Sequence, residues 1–156
     1  MRIIAKWFAG VALLGLLISA VSVDDRPLMV IQIPFPFVVS GKQLPAGAYT
    51  FSRVVRPVGR GVAQNVLVVR SVDGRYYDTS LVRPLPAPQE QTLGQLDFGR
   101  RGGQYFLRYL QSARHGLVLQ LPSSPQELEF QKRGVEREAE VVLPGDLDVL
   151  SKRINP

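Results

Sequence analysis

VIQIPFPFVV, residues 30–39, alternates without a break: Ile31, Ile33, Phe35, Phe37 and Val39 share one face, and Gln32, Pro34, Pro36 and Val38 the other. A period of two is the signature of a strand with one buried face. Pro34 and Pro36 lack N–H groups on the same side, so that side cannot complete a ladder; this predicts an edge strand or one broken by a bulge.

The same grammar continues outward. Ser40-Gly41-Lys42 turns the chain, and Leu44-Pro45-Ala46-Gly47 has the Pro and Gly placement of a type I turn. Residues 48–55 read as a strand with Tyr49, Phe51 and Arg53 on one face, and 59–61 as a loop. Residues 66–72 are apolar on both faces, as in a central strand. Asp73-Gly74 marks a hairpin turn before a strand at 76–82. The alternate prolines of 83–90 suggest an extended, polyproline-like connector. Strands at 92–98 and 104–111 flank a hairpin tip at 99–103, the second stacking Tyr105, Leu107 and Tyr109 on one face. A short strand follows at 117–121. Ser123, Ser124 and Pro125 form a helix entry, with Glu127 and Glu129 early and Lys132 and Arg133 late, as the helix dipole favours. Residues 136–143 fit a last strand or more helix. The expected fold is all-β: a single-domain antiparallel β-sandwich or small β-barrel with one short C-terminal helix.

Ahead of this body, Arg2 and Lys6 precede an uncharged apolar run at 7–21, and Ala20-Val21-Ser22 supplies small residues before a cut ahead of Val23. This is the pattern of a secretory signal peptide. At about 15 residues the run is shorter than the ~20 of a membrane-spanning helix, so cleavage is expected over retention as an anchor. The organisation expected is a signal peptide at 1–22, an all-β domain at 23–143 with its helix near 124–133, and a flexible tail at 144–156. The protein is expected to be exported, periplasmic or extracellular, with no membrane span after cleavage.

Three strings, IPFPFVVSGKQLPAGAYTF, NVLVVRSVDGR and LDFGRRGGQYFLRYL, resemble a family of small uncharacterised exported all-β proteins common in acidobacterial genomes. The most specific part is Leu44-Pro45-Ala46-Gly47-Ala48-Tyr49. The resemblance covers roughly residues 30–112 and implies export and a β fold; it implies no activity.

Composition excludes much chemistry. There is no cysteine among 156 residues and a single histidine. Disulfides, thiol nucleophiles, cysteine-held metals and His-pair metal sites are therefore absent, and no cofactor is expected. His115 lies in a turn beside Arg114, where a solvated surface role is the simpler account. Asp73, Asp78, Glu90 and Asp97 are scattered, and nothing marks two of them as the acid pair of a glycan hydrolase. Glu136, Glu138 and Glu140 alternate, but no loop supplies the carbonyls of a calcium site; an acidic edge meeting the basic body accounts for them.

What remains is charge. Residues 26–114 hold twelve Lys/Arg and four Asp/Glu, against five and seven in 115–156. The basic groups of the body are mostly arginines: 53, 56, 60, 70, 75, 83, 100, 101 and 108. Arginine suits bidentate contact with anions, and in an exported protein the fitting partner is an anionic lipid or polysaccharide of the envelope rather than nucleic acid. The function expected is a non-catalytic binding or structural protein of the cell envelope. Arg60, Arg100, Arg101 and Arg108 are its candidate binding residues, at the 59–61 loop and the 99–103 hairpin. One alternative is a small barrel holding an apolar ligand among Phe35, Phe37, Tyr49, Phe51, Tyr105, Phe106 and Tyr109, residues that would otherwise fill the core. Another is a carboxylate-dependent envelope glycan hydrolase.

Overall fold

The alternating run divides at its prolines. The structure, a computed structural model, describes residues 27–59, 61–88 and 94–145. In it β1 (Met29–Ile33) belongs to one sheet and β2 (Phe37–Val39) to another. One strand was expected here and two are found. Without N–H groups at 34 and 36 the ladder of β1 cannot continue, and the chain uses Pro34-Phe35-Pro36 to cross between sheets. The alternation survives the crossing because both sheets face the same core: Met29, Ile31, Ile33, Phe37 and Val39 are all buried.

After the Ser40-Gly41 turn comes β3 (Lys42–Leu44), paired with β2; Pro45-Ala46 then returns the chain to the first sheet. That sheet is completed by β4 (Gly47–Pro57), β5 (Ala63–Ser71) and β6 (Tyr77–Leu81), in the order β1-β4-β5-β6, all antiparallel. The Tyr49 hydroxyl donates to the Pro45 carbonyl at 2.7 Å and pins the crossing at its root.

Val82 alone makes the next crossing, because residues 83–86 are a strand. β7 (Arg83–Pro86) pairs with β10 (Leu117–Gln120), so the expected polyproline-like connector is in part an edge strand. Proline is tolerated there because its missing donor can face the free edge. The second sheet runs β11-β8-β9-β10-β7, with β8 (Gly94–Arg101), β9 (Gln104–Ser112) and β11 (Ala139–Gly145). β2 joins it through a short parallel pairing with the start of β9. This sheet curls as a half-barrel over the first.

Three local expectations change. The β8–β9 hairpin turns only at Gly102-Gly103, with φ of 55° and 74°, the two positive values of a type I′ turn. Gly99, Arg100 and Arg101 are therefore in strand, opposite Phe106, Tyr105 and Gln104. The register then shifts: Phe98 faces Leu107 while Asp97 faces Tyr109, which makes Arg108 an extra, bulged residue. Beyond the bulge the faces exchange, so Leu110 rather than Tyr109 follows Leu107 into the core. Finally, residues 139–145 are strand, so the last ladder includes Pro144 and Gly145 of the expected tail, whose remainder, 146–156, lies outside the described residues.

The core is filled by side chains. Phe37 meets Tyr49 and Phe98 edge-on, with ring centroids 5.0 and 5.7 Å apart, and Phe35 stacks on Tyr105 at 4.0 Å. The helix, α1 (Pro125–Lys132), is capped by Ser124, whose hydroxyl accepts from the Glu127 N–H at 3.1 Å. It packs on the outer face of the second sheet, Phe130 lying edge-on to Phe106.

Candidate functional site

The candidate arginines are engaged with the acidic C-terminal stretch. Arg100 sits 3.2 Å from the Glu138 carboxylate and lies over the Tyr105 ring at 5.6 Å. Arg101 donates to the Val135 carbonyl at 3.0 Å. Arg108, on the outer face of β9 like Phe106, pairs with Glu127 and also reaches the Ser123 hydroxyl at 3.3 Å. Glu127 is only 6% exposed, so this pair is the half-buried link between helix and sheet. Arg60 lies outside the described residues, as does the expected signal peptide at 1–22. Arg100, Arg101 and Arg108 thus hold the region from α1 to the start of β11 against the β8–β9 hairpin.

One of them also faces open space. At the crossing where β6 becomes β7, a cleft of about 540 Å³ is lined by Leu81, Val82, Arg83, Arg108, Gln120, Leu121, Pro122 and Ser123. Leu81, Val82 and Arg83 also line a second cleft of about 370 Å³, which runs on to Val58, Val62 and Pro84. Sharing those three residues, the two clefts adjoin at the β6–β7 crossing and are together called the groove. Arg108, Gln120, Leu121, Pro122 and Ser123 line the first cleft alone, and Val58, Val62, Ala63, Gln64, Asn65 and Pro84 the second alone, so guanidinium and aliphatic groups stand side by side in both. Arg83 is exposed and forms no ion pair among the described residues. Local sequence explains the first cleft. Edge prolines 84 and 86 keep β7 extended beside β10, and the alternation of β9, with Leu107 in the core, leaves Arg108 facing outward.

This arrangement can hold an anion beside an apolar chain. Guanidinium pairs make strong charge-assisted contacts with phosphate or carboxylate, and apolar clefts with a few converging polar groups are the usual form of ligand sites. Arg83 is one of fifteen arginines in the sequence; nothing in one dimension singles out its meeting with Arg108, 25 residues later.

Among the described residues Asp73 and Asp97 are each engaged separately. Asp73 is held at the β5–β6 turn by the Ser71 hydroxyl at 2.6 Å and by the Arg75 backbone N–H and guanidinium. Those hydrogen bonds, Ser71 first, lower its pKa to about 2. Asp97, buried on the outer side of β8, accepts from Gln111 at 2.7 Å and from Gln95 at 3.4 Å. Burial pushes its pKa up despite those bonds, and the charges acting on it are Glu140 and Arg137 rather than another aspartate. His115 Nδ1 shares a hydrogen bond with the Ser112 hydroxyl, at 2.8 Å. Among the described residues no three acidic or histidine side chains gather as a metal-ligand set.

No protein-family model, curated protein or solved structure matches this chain.

Proposed function

We propose that the protein is an exported, non-catalytic binding module of the cell envelope that holds an anionic amphiphile in the Arg83–Arg108 groove. The observation that carries this reading is the meeting of Arg83 and Arg108 with an aliphatic wall of Leu81, Val82, Val58 and Val62 at the β6–β7 crossing. A phospholipid matches both the arginines and the wall, whereas an acidic polysaccharide matches only the first. Export rests on the N-terminal pattern of the sequence and on the resemblance to small exported β proteins.

The test is calorimetric titration of the exported protein with dihexanoyl phosphatidylglycerol below its micelle-forming concentration. Saturable binding is expected, weakened about tenfold or more by Arg83→Glu and largely preserved by Arg83→Lys. Arg83 is the informative position because, unlike Arg108, it is not spent on holding the helix. Equal affinity for dihexanoyl phosphatidylcholine, or indifference to Arg83→Glu, would sink the proposal.

A further inference from the structure

The β4–β5 hairpin continues past the sheet that supports it. β1 pairs with β4 only as far as Phe51, and β6 with β5 only as far as Val66. β4 and β5 go on pairing through Val55–Asn65, Arg56–Gln64 and Pro57–Ala63, and Val58 N–H then donates to the Val62 carbonyl at 2.8 Å. Apart from one bond at its foot, Val82 N–H to the Asn65 carbonyl at 3.0 Å, no third strand pairs with this arm among the described residues. At about 3.3 Å per residue it reaches roughly 10 Å beyond its neighbours before the turn.

Its surface is unlike that of a solvated ribbon. Val55, Val58 and Val62 are 45%, 52% and 64% exposed, and Leu81 at the foot is 55% exposed. Exposed hairpins are normally blunted by charge, and contiguous exposed aliphatic surface marks a contact site. The charge present is of one sign. Between Gln43 and Val72 the sequence has no Asp or Glu. Arg53 bonds the Asn65 side chain at 2.8 Å, while Arg56 is exposed and has no ion-pair partner among the described residues. A protein partner would be gripped by aromatic anchors, yet no aromatic residue lies between Phe51 and Tyr76. Aliphatic tip, flanking arginine and no acid together fit an anionic lipid surface, where apolar groups sink to the headgroup–acyl boundary and arginines stay at the phosphates.

We infer that the β4–β5 arm docks the protein on an anionic bilayer, Val58 and Val62 entering the interface and Arg56 meeting lipid phosphate. The inference builds on the lipid reading of the groove and names the surface that would supply the ligand: the groove opens at the foot of the arm, with Val58 and Val62 in its wall.

The experiment is co-sedimentation of the exported protein with vesicles of equal parts phosphatidylglycerol and phosphatidylcholine, against phosphatidylcholine alone. Binding is expected only to the anionic vesicles. Val58→Ser with Val62→Ser should lower the partition at least about fivefold, and Val58→Leu with Val62→Leu should raise it. Both positions are solvent-exposed, so an unchanged thermal midpoint certifies the fold of each variant. Wild-type protein that ignores anionic vesicles, or a serine pair that sediments like wild type, would overturn the inference. So would capture by dextran sulfate that rivals vesicle binding and ignores the valines, which would point to an acidic polysaccharide. The two readings fail separately. Valine-dependent vesicle binding without dihexanoyl phosphatidylglycerol binding removes the groove and keeps the arm, and the reverse removes the arm.

Discussion

Asp97 shows how a single residue sets a pH dependence. Its carboxylate is 5% exposed and accepts from two glutamine amides, yet burial dominates and its pKa lies above the ordinary 3.8. The folded state therefore binds a proton more readily than the unfolded chain. Its contribution to stability is fully present below the unfolded value and is lost as pH rises through the raised folded pKa. Asp97→Asn removes the buried charge. The new amide can be matched by a flip of Gln111, whose Oε1 is buried without a partner. The variant is expected to melt a few degrees above wild type at pH 7, with the difference closing as pH falls towards 4. Thermal melts from pH 4 to 8 check this; a uniform loss of stability at every pH would contradict it. None of this was legible in the sequence, where Asp97 is one acid in LDFGRR and its depth depends on the packing of β9 and β11 beside β8.

Elements followed the sequence wherever side-chain period and turn chemistry spoke alone. The strands at 48–55, 66–72 and 76–82 and the helix behind Ser124 lie within a few residues of where the pattern put them. The failures lie where strand pairing, rather than side-chain period, sets the structure. Prolines at 84 and 86 look like a connector until β10 is laid beside them, and the bulge at Arg108 exists only in the register between β8 and β9. The Gly102-Gly103 turn gives an element-level test. Both glycines have positive φ, but a Cβ at Gly102 would lie 2.7 Å from the Phe130 ring, while one at Gly103 meets nothing within 4 Å. Gly103→Ala should cost about 1 kcal/mol from backbone strain alone, and Gly102→Ala about 2–3 kcal/mol because α1 must also shift. Urea unfolding of the two variants compares them. Equal losses would mean that the helix rests only loosely on the turn.

At the scale of the whole molecule the two sheets are held together along both margins. On one side Met29 of β1 lies over the paired Gly94 and Gly145, where an added Cβ would come within 2.8 and 2.6 Å of its side chain. On the other, Lys42 Nζ of β3 donates to the Tyr77 carbonyl of β6 at 2.8 Å. Glycine at 94 and 145 is what lets β1 approach. Gly145→Leu should force β1 and β11 apart, lower stability by about 1–3 kcal/mol and speed amide exchange in those two strands first. Adding Met29→Ala should restore part of the loss by vacating the contested space. A double variant no better than the single one would place the strain elsewhere. The groove lies at the β6–β7 crossing, away from this margin, so its ligand binding should survive the change.

The sequence by itself determined an all-β chain with one late, well-capped helix. Two-residue periodicity, Gly and Pro turns and capping are local properties, readable within a few residues. It also set a basic body against an acidic end, and so made Glu127 and Glu138 available to Arg108 and Arg100. Which arginines are occupied and which face open space was decided only by tertiary structure. Ion pairing and burial depend on residues that pairing between distant strands brings together. Arg83 and Arg108 share one groove because β7, β10 and β9 lie side by side in the second sheet.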